Sequence, residues 1–143
     1  MNGLAVRCAL VALALLAGAY LALGVRNVRL TDDGDAVLAQ ARAGHVPPAT
    51  ADAALNQYDK ARTLSPDPTP LIHSAELLLE VGRKKQANEY LLRSIRDEPD
   101  NVEAWFTAYV AAADDPAGRK LAKRKLLDLN PWFLYALTRR SPT

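Results

Sequence analysis

Two glutamates, Glu76 and Glu80, are four residues apart, and on a helix they would share one face. Paired carboxylates can perform general acid–base chemistry when a pocket shifts their pKa values. The chain contains no glycine-rich phosphate loop, no nucleophile elbow and no Cys–His arrangement that would accompany such a pair in an active site. We therefore interpret the two glutamates as part of a solvated helix face, and we expect no enzymatic activity.

Ligands for a metal are equally scarce. His45 and His73 are the only histidines, they lie in different parts of the sequence, and Cys8 is the only cysteine. A zinc site needs three or four converging ligands, and no cluster supplies them. The single cysteine also excludes an intrachain disulfide. We expect neither a metal nor any other cofactor.

A basic run lies near the C-terminus and consists of Arg119, Lys120, Lys123 and Arg124. On a helix these four residues fall within one arc of about 140°. The opposite side of that helix would carry Leu121, Ala122, Leu126 and Leu129. The run is either the solvated face of an amphipathic helix or a contact surface for anionic lipid or an acidic partner. No aromatic residues interleave with the charges, so we expect no nucleic acid.

The N-terminal region is apolar. Residues 8–25 contain no charged side chain, and a basic tail over residues 1–7 precedes them. Eighteen residues make about 27 Å of helix, which is close to the thickness of a hydrocarbon core. A cleaved signal peptide is the alternative, with residues 17–19 as its A-x-A site. Because the apolar run continues past that site to Val25, we predict an uncleaved transmembrane anchor.

The sidedness of the anchor depends on few charges. Arg7 precedes the apolar run, and Arg26 and Arg29 follow it, so the positive-inside rule does not separate the two orientations. A short basic tail ahead of an apolar run is typical of a signal anchor. We therefore predict a single-pass membrane protein whose remaining chain is extracytoplasmic.

Beyond a polar linker over residues 26–33, the composition is rich in Ala and Leu and shows no strand alternation. Gly44, Gly82 and several prolines divide this part into segments that predict an all-α fold. We predict six helices in three pairs, over residues 35–43, 50–64, 71–81, 84–98, 102–113 and 117–129.

Side chains that can cap helices stand at three of the predicted boundaries. Thr69 precedes Pro70, Asp115 precedes Pro116, and Asp100 has capping-box spacing to Glu103. These positions predict where the third, fifth and sixth helices begin.

Prolines recur at a regular interval along the pairs. Pro66, Pro99 and Pro131 end the second helix of each pair and are 33 and 32 residues apart. Ala54 and Ala87 each lie twelve residues before one of these prolines. A period in the low thirties built from helix-turn-helix units is the signature of a helical repeat.

At these positions the chain resembles the tetratricopeptide repeat family, in its bacterial, membrane-anchored form. The small, aromatic and proline positions that carry the resemblance are Ala54, Tyr58, Ala61, Pro66, Ala75, Ala87, Pro99, Trp105 and Pro131. It covers roughly residues 34–131. Two departures are an insertion, "GHVPP", within the first unit and a shifted third unit, in which Arg119 falls at a small position.

The resemblance implies a right-handed α-solenoid of about three units over residues 34–138, followed by a basic tail over residues 139–143. The apolar segment "WFLYAL" (residues 132–137) would cover the open end of the stack as a capping helix.

Family members bind peptides in a concave groove that the first helices of the units line. By register, the groove here would contain Ile72, His73, Glu76, Glu80, Glu103, Phe106, Thr107 and Val110. The Lys, Arg and Asn residues with which some members clamp a C-terminal carboxylate are missing from it, so that specificity is not expected. The groove is mildly acidic and partly apolar, which suits an extended or helical segment with some basic character. The resemblance implies a membrane-anchored adapter, scaffold or assembly subunit that binds protein partners. Two alternatives stay open: a structural subunit that does not use its groove, and a secreted repeat protein with a cleaved signal.

Overall fold

The structure is a computed structural model and describes residues 2–44, 46–63 and 65–133. Within these ranges every regular element is a helix, which confirms the predicted all-α class. The helices are α1 (Asn2–Ala43), α2 (Pro48–Ala61), α3 (Thr69–Glu80), α4 (Lys84–Asp97), α5 (Val102–Ala111) and α6 (Pro116–Leu129), and a 3₁₀ turn over Ala112–Asp114 follows α5.

The first helix is longer than predicted. Residues 26–33, predicted as a polar linker, are instead part of α1, which runs without a break over 42 residues. The segment contains no proline, and its Arg and Leu residues are among those with high helix propensity. Thr31 keeps its hydroxyl satisfied by donating to the backbone oxygen of Asn27 at 3.0 Å. The polarity of the segment therefore marks exposure to solvent and not a helix boundary.

The N-terminal part of α1 is the apolar one. It is long and apolar enough to cross a membrane, and no other helix in the described ranges meets that criterion. Every side chain over residues 6–22 is exposed. The C-terminal part behaves differently, because Gly34, Leu38 and Ala41 are buried against other helices.

One predicted cap is replaced by its neighbour and another is confirmed. Asn101, and not Asp100, caps α5, with its side-chain oxygen accepting from the backbone N–H of Ala104 at 3.0 Å. The Asp100 carboxylate is instead 2.9 Å from the Lys125 ammonium of α6. Asp115 caps α6 as predicted and accepts from the N–H of Ala117.

The two ends of α3 depend on nearby turn residues. Thr69 is its first residue and does not cap it; its N–H donates to the Asp67 carboxylate at 2.9 Å. At the other end Gly82 has φ 77°, and the N–H of Arg83 donates to the Leu78 oxygen at 2.7 Å. This is a Schellman-type ending, and it confirms that Gly82 stops the helix.

Neighbouring helices in sequence pack as pairs: α1 with α2, α3 with α4, and α5 with α6. The first helices of the pairs also contact one another in order, α1 with α3 and α3 with α5, whereas no Cα atom of α4 lies within 8 Å of one in α6. We call the side formed by the C-terminal part of α1, α3 and α5 the front face. The side of α4 and α6 is the back.

The main core lies among α1, α2, α3 and α4. Tyr58 is fully buried there and packs on Gly34, where an added Cβ would lie only 2.6 Å from the tyrosine ring. Other small positions singled out in the sequence are also buried: Ala54, Ala61, Ala75 and Ala87. Small residues at these points let the helices approach closely.

The third pair is covered from its C-terminal side by Phe133. This ring is buried and makes edge-to-face contacts with Phe106 and Tyr109, at centroid distances of 5.9 and 6.3 Å. Trp132 beside it is 78% exposed. Residues 134–137 of the predicted capping segment and the basic tail over residues 139–143 lie outside the described residues.

Candidate interaction surfaces

A polar cluster joins α1, α2 and α3 and approaches α5 at the front face. Asp35 of α1 accepts a hydrogen bond from the Tyr58 hydroxyl of α2 at 2.8 Å, and the same oxygen is 2.6 Å from Nδ1 of His73 on α3. The Tyr58 and His73 rings meet edge to face at 6.0 Å. On its other side, Nε2 of His73 is 4.0 Å from a carboxylate oxygen of Glu103 on α5. The Tyr58 hydroxyl and Nδ1 of His73 thus share one oxygen of Asp35, whereas Glu103 contributes only a longer charge–imidazole approach.

Burial raises the pKa of the Tyr58 hydroxyl far above its usual value, and the hydrogen bond to the Asp35 carboxylate and its negative charge raise it further. An ionised phenolate there would be desolvated and would face a like charge. Tyr58 therefore remains a hydrogen-bond donor that fastens α2 to α1.

A second polar group links the same side of the molecule one turn further along. The guanidinium of Arg42 on α1 is 2.5 Å from a carboxylate oxygen of Glu76 on α3. The other oxygen of Glu76 accepts from the buried Thr107 hydroxyl of α5 at 3.1 Å. Glu76 is thus a bridge between the three helices of the front face.

The predicted groove is only partly at the surface. Ile72 is fully buried and Thr107 nearly so, and the polar atoms of His73 and Glu76 are engaged by neighbouring helices. The groove residues that remain exposed are Glu80, Glu103, Phe106 and Val110. Of these, Glu103, Phe106 and Val110 follow one another along one side of α5, and we call them the α5 ridge. The two glutamates therefore differ: Glu76 contacts Arg42 and Thr107, whereas Glu80 is exposed to solvent.

The basic run forms an exposed surface on α6. Arg119, Lys120, Lys123 and Arg124 are all exposed, and we call them the basic face. The Arg119 guanidinium lies 4.8 Å from the centre of the Tyr109 ring and donates to its hydroxyl at 3.2 Å. None of the four forms an ion pair with a described residue. Leu121, predicted to lie on the buried side, is 58% exposed.

A cleft on the back was not predicted. It lies between α4 and α6, its floor is α5, and its volume is about 280 Å³. We call it the back cleft; its larger lining residues are Leu91, Leu92, Ile95, Trp105 and Leu121. Leu92 is 63% exposed at its edge. The sequence signal for it was the second leucine of the Leu91–Leu92 pair, which falls outside the buried stripe of α4.

In the described ranges no three His, Cys, Asp or Glu side chains come together as metal ligands would. His45, the other histidine considered for this role, lies outside those ranges. No protein-family model matches the chain, and no curated protein or solved structure is significantly similar to it.

Proposed function

We propose that this chain is a membrane-anchored helical-repeat protein of the tetratricopeptide type that holds a protein partner beside the membrane, as an adapter or assembly subunit. The observation that carries the proposal is the continuity of α1, whose exposed apolar part passes directly into the packed domain. A helix without a break transmits the direction of the anchor to the domain. The partner would thus be presented in a fixed orientation.

The order of helix contacts supports the repeat part of the proposal. Each first helix contacts the next first helix, and each second helix contacts the first helix that follows it. This is the pattern that stacking of helix pairs produces in a solenoid. About three units in a right-handed array, the first of them beginning within α1, account for it.

The front face supports recognition more than chemistry. Its polar side chains bond one another across helices, so they hold the array together. The α5 ridge is the part left accessible, with one carboxylate and two apolar side chains. Its chemistry fits a partner segment that carries apolar and basic residues.

A pull-down with matched variants tests this use of the ridge. The full chain, tagged at the C-terminus and extracted in mild detergent, is compared with Val110→Asp and with Leu92→Gln at the edge of the back cleft. Both side chains are exposed, so both variants should fold and give the same circular dichroism. We expect Val110→Asp to reduce recovery of a stoichiometric partner roughly tenfold or more. Leu92→Gln should leave it unchanged.

The reverse result would favour a structural subunit that does not use the front face. Two observations favour this second candidate: the front polar groups are already engaged, and Leu92 and Leu121 leave apolar surface on the back. In that case Leu92→Gln would lose the partner and Val110→Asp would keep it. Equal recovery with both variants would contradict both assignments.

Cleavage of the N-terminal segment is a separate alternative that fractionation decides. Cutting after Ala19 would leave the buried residues Gly34, Leu38 and Ala41 in the domain, so a secreted form could fold. We expect the chain to stay in the membrane fraction after an alkaline carbonate wash. Its release into the wash would support the secreted form. We also propose that the domain is extracytoplasmic, which protease protection in intact cells tests.

A further inference from the structure

The basic face is placed at a height above the membrane that can be estimated. The side chains of Asp35, His73 and Glu103 lie next to one another, so these residues of α1, α3 and α5 are at a similar distance from the membrane. Asp35 is ten residues beyond Val25, which corresponds to about 15 Å of helix. Tyr109 lies six residues, or about 9 Å, further along α5. Arg119 contacts the Tyr109 ring and so stands about 24 Å beyond the end of the apolar segment.

The other three basic residues lie nearer the bilayer than Arg119, and Arg124 is the nearest of the four. The contacts of Arg119 with Tyr109 and of Lys125 with Asp100 show that α6 runs antiparallel to α5. Arg124 therefore lies about one and a half turns nearer the membrane than Arg119, at roughly 16 Å. The headgroup layer extends only about 5–8 Å beyond the hydrocarbon core. Attraction to its charge then falls off within a Debye length of about 8 Å, so it weakens near the height of Arg124 and ends well short of Lys120 and Arg119.

We propose that the basic face binds an acidic segment of a protein partner and not the headgroups of the membrane that holds the chain. The proposal rests on the membrane anchorage argued above, because the heights are measured from that anchor. It does not depend on use of the α5 ridge.

The charges of α6 are arranged for such a contact. The helix has five basic residues and one acidic residue, and among the described residues its only ion pair joins Lys125 to Asp100. The four residues of the basic face occupy one arc that contains no carboxylate. Arg119 is already held by its contact with Tyr109, so its side chain loses less conformational entropy when a partner binds.

A second copy of the chain is a poorer occupant. In a symmetric dimer formed through this surface, the same cations would face one another. A basic surface instead attracts acidic partners and repels basic ones. The contact should therefore be formed with a segment rich in Asp and Glu.

The test uses the full chain in nanodiscs and a labelled synthetic peptide of alternating glutamates and alanines, with its lysine counterpart as a probe of charge. Binding is followed by fluorescence anisotropy at low and high ionic strength. We expect the acidic peptide to bind, the lysine peptide not to bind, and added salt to weaken the complex.

Two variants of equal charge change show whether the face itself is used. Lys120→Glu/Lys123→Glu/Arg124→Glu should weaken binding roughly tenfold or more. Lys85→Glu/Arg93→Glu/Arg96→Glu makes the same change on exposed residues of α4 and should have little effect. Equal loss in the two variants, or binding that survives the α6 variant, would overturn the proposal.

A separate experiment tests whether the basic face binds anionic lipid. Hydrogen exchange of α6 is compared in nanodiscs of neutral lipid and of anionic lipid. Our proposal predicts no added protection in anionic lipid and no competition with the peptide. Protection that appears only in anionic lipid would assign the face to the membrane. Failure of the chain to enter nanodiscs would instead contradict the proposed anchorage.

Discussion

The first two helix pairs and the third pair bury very different amounts of side chain. Five residues of α2 and seven of α3 are buried, whereas α5 and α6 bury two each. The third pair instead exposes Phe106, Val110 and Leu121. Regions with few buried apolar contacts open at lower free energy than the core. The comparison indicates that the first two pairs hold the fold, while the third carries the accessible surfaces.

The positions of the candidate surfaces agree with this division. The α5 ridge, the basic face and one wall of the back cleft all belong to the third pair. The polar cluster of Asp35, Tyr58 and His73, in contrast, belongs to the first two pairs and fastens them together.

Removing a core leucine from each region should have the largest effect. Leu78 of α3 and Leu126 of α6 are almost equally buried, at 1% and 0% exposure. Replacing either by alanine should cost about 2–5 kcal/mol locally, from lost burial and the cavity that remains. Leu78→Ala should raise hydrogen exchange, read by mass spectrometry, throughout α2 to α6. Leu126→Ala should raise it in α5 and α6 alone.

The same exchange measurements can contradict the contrast between the first two helix pairs and the third pair. If Leu126→Ala opened α2 and α3 as much as Leu78→Ala does, the domain would be a single cooperative unit. The exposed conservative change Leu92→Met is the control, and it should leave the map of the parent chain unchanged.

A smaller effect is expected at the joint between α1 and α2. In Gly34→Ala the new methyl group would overlap the buried Tyr58 ring, which has no free space to move into. Overpacking destabilises by about 1–3 kcal/mol, and the higher helix propensity of alanine offsets less than 1 kcal/mol of that destabilisation. We expect a net loss of about 1–2 kcal/mol in chemical unfolding followed by circular dichroism.

Gly24→Ala is the matched control on the same helix. Nothing lies within 4 Å of a Cβ at that position, so stability should be unchanged or slightly higher. Equal losses in the two variants would show that Gly34 matters for a reason other than its contact with Tyr58.

Local signals predicted the helices well. Proline, glycine and side-chain caps act within a few residues, so the bounds of α2 to α6 followed from them to within a few residues. The continuity of α1 does not follow from the sequence, because the polarity of residues 26–33 is compatible both with a linker and with a solvated helix. Asn101 caps α5 in place of Asp100, and Asp100 pairs instead with Lys125, a contact across 25 residues that the local sequence does not indicate.

Surfaces were harder to predict than helices. The burial of Ile72 and the exposure of Leu121 depend on how one helix is rotated against the next, which a repeat register gives only approximately. Gly34 and Tyr58 are 24 residues apart, and neither residue by itself predicts that they are in contact. The back cleft arises because the backbones of α4 and α6 stay more than 8 Å apart, which depends on tertiary packing and not on local sequence.

The smallest expected effect at neutral pH concerns the Tyr58 hydroxyl. Tyr58→Phe keeps the ring on Gly34 but removes the donor to Asp35, and a hydrogen bond of this kind contributes about 1 kcal/mol. The variant should therefore be slightly less stable than the parent at about pH 8 in chemical unfolding followed by circular dichroism. That difference depends on pH, because the phenol is protonated in the folded state at pH values where the unfolded chain ionises.

The sign of the pH effect follows from the raised pKa of Tyr58. Below about pH 10, the pKa of an unfolded tyrosine, both states keep the proton and stability is unaffected. Above it the unfolded state loses the proton first, so Tyr58 makes the parent chain less stable by up to about 1.4 kcal/mol per pH unit. Tyr58→Phe removes this loss of stability. Burial also raises the pKa of Tyr90, so both chains keep a similar loss from that residue. By about pH 11 the variant should equal or exceed the parent. A constant difference between the two chains from neutral to alkaline pH would mean that Tyr58 is not buried as described, and the tight first pair would no longer contrast with the open third pair.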